Sequence, residues 1–260
     1  MQRTFISGRV EFKGSPVLNK IFSSVCVALA ALAFSGVPAA HATSITFTSN
    51  GTGGDGPLSA SAVFSTSPGQ LTVTLMNTLS ASTIRSSGQA LSDISFTLSN
   101  SPGSLGSATA SGQLGNVNGS GVVTYTSGSP VRFVGQGPPA PGGTGTFTIV
   151  GNTILLEALG GGQPSQMIAP SLANGGTYGN VNNGFQNFDA YTIGPATFTL
   201  DLSGITSSTT VTAANFSFGT GPDTVLPGVP GPTPEPSSLL LLGTGLAGMA
   251  GVLRRKLIAA

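Results

Sequence analysis

Short stretches of alternating apolar and polar residues recur along most of this chain. In residues 44–49, Ile45 and Phe47 fall on one side of an extended backbone while Thr and Ser fall on the other. Residues 61–65 follow, then 70–77, where Leu71, Val73 and Leu75 share a face. Residues 93–99 align Ile94, Phe96 and Leu98. The pattern returns at 122–126, 131–135, 145–151, 152–159, 196–202 and 211–219. A period of two sends successive side chains to opposite faces of a sheet, so each stretch reads as a half-buried strand. Turn formers bound them: Asn50-Gly51, Ser67-Pro68-Gly69, Ser101-Pro102-Gly103 and Gly151-Asn152 all suit tight reversals. No window carries a helical apolar stripe of useful length. The pattern predicts an all-β sandwich or jelly-roll-like domain of about ten strands over residues 43–218.

Two segments interrupt the alternation. Residues 135–143 are a Pro/Gly turn region. Residues 160–187 form a longer break holding Asn174, Asn180, Asn182, Asn183 and Asn187, with Tyr178, Phe185 and, just beyond, Phe188. Amides beside aromatic rings suit sugar hydroxyls and the apolar faces of sugar rings, which makes Tyr178, Phe185 and Phe188 candidate ligand contacts. The alternative is a surface loop whose aromatics fold back on the core. Residues 219–233 are rich in Pro and Gly and read as a linker holding the domain off a membrane.

Charge narrows the function classes. No lysine occurs between Lys20 and Lys256. Over residues 43–226 the cations are Arg85 and Arg132, and the acids are Asp55, Asp93, Glu157, Asp189, Asp201 and Asp223. Two against six gives a net charge of −4 there, whereas the whole chain is +1. Such a body lacks the clustered Lys/Arg that nucleic acid or anionic lipid requires, so no nucleic-acid partner is expected. The one cysteine, Cys26, and the one histidine, His41, both precede residue 43. That excludes a Ser-His-Asp set, a thiolate nucleophile and a Cys/His zinc site from the body. Carboxylate chemistry remains, and two of the six acids could flank a glycosidic bond. Asp93 and Asp201 lie opposite the apolar set of their strands and are expected in solvent, while Glu157 falls near a strand end. No enzymatic activity and no cofactor are expected. The stretch Gly53-Gly54-Asp55-Gly56 reads as a tight hairpin; its alternative is a Ca²⁺ site on Asp55 with backbone carbonyls.

Both ends carry targeting features. Lys20 precedes an apolar run over 21–34, and Ala40-His41-Ala42 is an A-x-A cleavage site. Residues 1–42 thus read as a signal peptide with a signal helix, cut between Ala42 and Thr43, with the Sec translocon and signal peptidase as partners. Val25 before Cys26, within the apolar run, argues against a lipidated cysteine. Residues 1–17, with Glu11 and Pro16, are unusual in a signal peptide, and a translation start at Leu18 through a non-ATG codon would give a standard one. At the other end Pro234, Glu235 and Pro236 lead into an uncharged apolar run, 237–253, followed by Arg254, Arg255 and Lys256. Seventeen helical residues span roughly 26 Å, the short end of a bilayer core. The basic tail would stay cytoplasmic, and the body would lie on the other side. Gly243, Ala247 and Gly251 make a small-residue ridge at helical spacing.

Triplet, short apolar run and basic end, in that order over 234–260, resemble the PEP-CTERM sorting signal of Gram-negative bacteria. The resemblance covers about a tenth of the chain and concerns delivery. It implies recognition of Pro234, Glu235 and Pro236 by an exosortase, transient anchoring in the inner membrane with Arg254, Arg255 and Lys256 as the retention end, and release to the cell surface or an exopolysaccharide matrix. A permanent single-span anchor is the alternative. For the body three functions stay open: a structural surface or matrix protein, a carbohydrate-binding or adhesive module, and a carboxylate-based glycoside hydrolase.

Overall fold

A computed structural model describes residues 43–126, 133–134, 145–157, 166–173, 176–220 and 224–232. The expected signal helix (1–42), the Pro/Gly region 135–143 and the triplet with its apolar run (234–260) lie outside the described residues. Among the described residues no helix is long and apolar enough to cross a membrane.

The described chain is strand upon strand. In order these are β1 (Thr43–Gly53), β2 (Gly56–Ser67), β3 (Gln70–Asn77), β4 (Leu91–Leu98), β5 (Leu105–Ser111), β6 (Leu114–Val117), β7 (Val123–Tyr125) and β8 (Phe133–Val134). Then come β9 (Gly145–Val150), β10 (Thr153–Glu157), β11 (Ile168–Ala169), β12 (Tyr191–Ile193), β13 (Ala196–Leu202), β14 (Val211–Phe218), β15 (Thr224–Pro227) and β16 (Val229–Pro230). Sheet A runs β16-β1-β2-β3-β13-β5, antiparallel throughout. Sheet B is centred on β4. One edge of β4 carries β14 and then β15. Its other edge carries β10, β9 and β8 along most of its length, and β11, β12, β6 and β7 from Leu91.

The alternation read from the sequence is what packs the two sheets together. Leu71, Val73 and Leu75 of β3 are buried, as are Leu58, Ala60, Ala62 and Phe64 of β2. They meet Ile94, Phe96 and Leu98 of β4 with Ala214 and Phe216 of β14 in one cluster. Three rings bridge the layers. Phe47 meets Phe64 edge-on at 5.8 Å, and Phe64 meets Phe96 of the opposite sheet at 4.9 Å. Such pairs add about 0.5–1.5 kcal/mol beyond the area they bury.

All ten predicted stretches contain strands, so the all-β reading holds. Six further strands were not expected. β5 holds mostly Gly, Ala and Ser, and β6, β11 and β12 are only two to four residues long, too short for a period to show.

The other two strands, β15 and β16, correct the expected linker. Within 219–233, β15 pairs with β14 of sheet B, with Phe216 opposite Leu226. β16 pairs with β1 of sheet A, with Phe47 opposite Pro230. The segment is therefore a strap that passes from one sheet to the other. Its prolines fit because edge positions need no ladder N–H on the outer side. Gly228 makes the crossing. Its N–H donates to the Ala214 carbonyl at 2.8 Å, and a Cβ there would lie 2.9 Å from a Phe216 ring carbon and 3.3 Å from Phe47 Cβ. Ser49 Oγ donates to the Pro227 carbonyl, and Gly231 N–H donates to the Thr46 carbonyl at 2.7 Å. Leu226 lies over Gly51, where a Cβ would come within 2.6 Å of it.

The strap makes a prediction that a linker does not. Gly228→Ala is expected to lower unfolding stability by about 1–3 kcal/mol, the cost of overpacking a closed core. In a free linker the same change would be neutral or stabilise by about 0.4–1 kcal/mol. Chemical denaturation of the two chains distinguishes these outcomes.

Candidate functional site

The aromatic residues of the long break do not face solvent. Tyr178 and Phe185 are 0% exposed and Phe188 is half-buried. They belong to a second core with Ile84, Val117, Met167, Tyr191 and Ile193. The Phe185 and Tyr191 rings stack at 4.2 Å, nearly parallel at 13°, and Tyr178 meets Phe185 at 5.8 Å. Both phenols are satisfied inside: Tyr178 O–H donates to the Pro170 carbonyl and Tyr191 O–H to the Phe185 carbonyl at 2.9 Å. The candidate ligand contacts Tyr178 and Phe185 are thus anchors, and Phe188 packs beside them. A long connection over a sheet needs apolar side chains of its own to stay packed, and these supply them.

The amides of this region serve the backbone too. Asn182 Oδ1 accepts from Phe185 N–H, and Asn180 Nδ2 donates to the Ser82 carbonyl. Asn118 Oδ1 accepts from both Ser120 and Val122 N–H. The turn carrying Gly121 closes on this segment, with Tyr178 N–H donating to the Gly121 carbonyl. A Cβ on Gly121, at φ +76°, would lie 2.0 Å from the Tyr178 carbonyl oxygen, so only glycine fits there. Asp189 joins the layer to β6: its Oδ1 accepts from Val117 N–H at 2.8 Å. Burial pushes the Asp189 carboxyl above its ordinary value, and the Val117 bond opposes that.

The acids are arranged differently from expectation in one case. Asp93 is 5% exposed, not solvated. It lies between Glu157 of β10 and Ser217 of β14 in register, with Ser92 Oγ near its Oδ2. Asp93 and Glu157 are cross-strand neighbours, both engaged within the protein. Neither lines the cleft described below. Asp201 is exposed as expected, and hydrogen bonds from Ser107 Oγ and Gln70 Nε2 hold its carboxyl below the usual range. Asp55 sits at the tip of the β1–β2 hairpin, where Gly53 pairs with Gly56, and its carboxyl lies against Gly88. Among the described residues no three acidic, His or Cys side chains converge on a metal position.

What the fold does open is a cleft of about 530 Å³ beside the second core. Tyr125 of β7, Gln113 between β5 and β6, and Ser171 after β11 supply its polar groups. Leu172 and the Ile193-Gly194-Pro195 connection from β12 to β13 supply its apolar floor. Backbone bonds fix these walls: Ile193 N–H donates to the Gln113 carbonyl at 2.7 Å and Gly194 N–H to the Ala169 carbonyl at 3.1 Å. Gly194, at φ +89°, passes so close to Ser171 that a Cβ would lie 3.0 Å from its hydroxyl. Tyr125 is 43% exposed and sits opposite Gly115. Among the described residues that line the cleft none is charged. Sequence reading missed it. Its walls come from four segments far apart in the sequence, and the available signal was Tyr125 in a predicted strand otherwise edged by Thr.

Residues 232–256 match the family model of the PEP-CTERM protein-sorting motif. The match takes in Pro234, Glu235 and Pro236, the apolar run and Arg254, Arg255 and Lys256. No curated protein and no solved structure matches the chain.

The two buried phenols give the domain an alkaline limit. Burial raises the pKa of Tyr178 and Tyr191 well above the ordinary tyrosine value of 10.0. Neutral phenols therefore stabilise the fold fully below pH about 10, and that contribution is lost as pH rises further. In a Tyr125→Phe chain only Tyr178 and Tyr191 report by absorbance. Their ionisation is expected to coincide with loss of the β-sheet circular dichroism signal. Ionisation near pH 10 with the sheets intact would contradict this burial.

Proposed function

We propose that this chain is an exported protein sorted by its C-terminal motif, and that the β-sandwich is the passenger. The match over 232–256 carries this reading. The basic residues behind an uncharged run support retention at the inner membrane. Proline is disfavoured inside regular helices and strands, and a triplet built on Pro234 and Pro236 suits an exosortase on that ground. The strap ends at Pro230, so the motif starts two residues past the last strand, and the folded body is carried close to the membrane until release. The delivered domain acts as a non-catalytic structural component of the cell surface or matrix. Its low charge, its Thr- and Ser-rich outer faces and its lack of His, Cys and Lys support that role. Fractionation of native cells with intact-mass measurement tests the sorting. The expected product begins at Thr43 and lacks the residues beyond the triplet, while Glu235→Ala leaves an uncut membrane form. Full-length protein in the cytosol would overturn it.

The cleft favours a second role for the same passenger, binding of a neutral saccharide. The volume suits one or two sugar rings. Tyr125 offers a ring for stacking, while Gln113 and Ser171 offer groups that both donate and accept. This replaces the buried Tyr178 and Phe185 as the contact surface. Tyr125→Ala is expected to weaken binding to neutral polysaccharide by roughly tenfold, about 1.4 kcal/mol, while Tyr125→Trp keeps it. Equal retention of all three chains in affinity electrophoresis would reject the cleft.

A further inference from the structure

The chain leaves the sandwich where it enters it. β1 begins at Thr43, and β16 pairs antiparallel with it, Phe47 opposite Pro230 and Thr48 opposite Val229. Among the described residues only β16 pairs with that edge of β1. Gly231 N–H donates to the Thr46 carbonyl, so the chain runs on from there toward Thr43. On a strand, backbone groups two residues apart turn to the same neighbour. Gly231 thus fixes a phase in which odd-numbered residues turn to β1 and even-numbered residues turn away. The sequence keeps that phase: Pro230, Pro232, Pro234 and Pro236 alternate with Gly231, Thr233 and Glu235. Each position whose N–H would point outward is a proline, and each position that owes a bond to β1 keeps its N–H. A residue before a proline is driven to extended backbone, which applies to Gly231, Thr233 and Glu235 in turn. A tether can use proline, but it has no need of proline in phase with a neighbouring strand.

We infer that the start of β1 is the docking edge for the first residues of the sorting motif, and that loss of residues 1–42 completes this site. Continued past Pro230, the register of β16 sets Thr233 opposite Ser44 and Pro234 opposite Thr43. Hydrolysis of the Ala42–Thr43 bond leaves a carboxylate on Ala42 and an ammonium on Thr43. That ammonium falls beside Glu235, which follows Pro234. Residues 224–234 carry no charge, so nothing on the strap competes for it. The uncut chain has a peptide bond at the same place and no cation. A surface ion pair is weak by itself. The backbone bonds of Gly231 and Thr233 do the positioning, and the ion pair orients Glu235. The consequence for processing rests on the proposed sorting. Removal of the signal peptide prepares the second cut, and an exosortase meets the triplet on the edge of the sandwich rather than on a loose chain.

The docking is tested apart from the sorting. In a Gram-negative host without an exosortase, the exported chain keeps its motif and is purified in detergent. With Cys26 replaced by Ser, the pair Ser44→Cys and Thr233→Cys is expected to cross-link on mild oxidation, since paired residues lie within disulfide reach. The pair Thr48→Cys and Thr233→Cys, with Thr48 about 13 Å further along β1, is not. No cross-link at Ser44, or equal cross-linking at Thr48, would overturn the docking. The coupling is read in native cells by intact mass. Ala40→Leu with Ala42→Leu removes the small residues that signal peptidase needs and leaves residues 1–42 attached. A Gly/Ser spacer of about eight residues after Pro232 keeps the first cut but frees the motif from β1. Both chains are expected to be cut at the C-terminus about tenfold more slowly than the parent, through lost presentation of an intact motif. Full-rate cutting of either would overturn the coupling. A parent chain never cut at its C-terminus would overturn the sorting and the coupling together, while the cross-link still decides the docking.

Discussion

The crossing of residues 224–231 from sheet B to sheet A is the constraint on which the rest of this domain depends. From Thr43 to the motif the sequence has no cysteine, so no disulfide can hold the layers together. Charges are too few for ion-pair networks. Cohesion rests on apolar contact between the sheets and on backbone pairing at their margins. The strap supplies both along one margin. It lays Leu226 over Gly51, seats Gly228 between Phe216 and Phe47, and returns Gly231 to Thr46. It also covers the outer edge of β1, which would otherwise be a long exposed strand of alternating apolar residues.

This arrangement changes what the C-terminal motif is attached to. A flexible linker would let the domain move freely above a membrane. Here the last sheet hydrogen bond, at Gly231, falls one residue before the match begins. A cut near the triplet would leave the strap on the product. Delivery and stability are thereby separated: the signal can be lost without loss of any strand that closes the sandwich.

Much of the main sandwich was legible in the sequence, because its strands are long enough to show a period of two. Leu71, Val73 and Leu75, and Ile94, Phe96 and Leu98, point inward as their spacing requires. The strap was hidden because proline and glycine carry the same local signal in a linker and in an edge strand. Only the tertiary pairing separates them. Tyr178 and Phe185 misled for a related reason. Amides and rings in a long break suit a ligand, yet the same residues are what an ordered loop needs to anchor itself. Asp93 was read as solvated from its position on the strand alone, yet it is buried while Ser95 and Thr97 on the same face are half-exposed. The cleft at Tyr125 joins residues 113, 125, 171 and 193–195, which no local pattern relates.

Native-state hydrogen exchange on the amides of Gly228 and Gly231 tests the central claim most directly. These groups donate to Ala214 and Thr46, one on each sheet. The account predicts exchange only through global unfolding, at the same free energy as amides in the β1–β2 ladder. Exchange at the rate of an open coil, while that ladder stays protected, would show that the strap does not hold the sandwich closed.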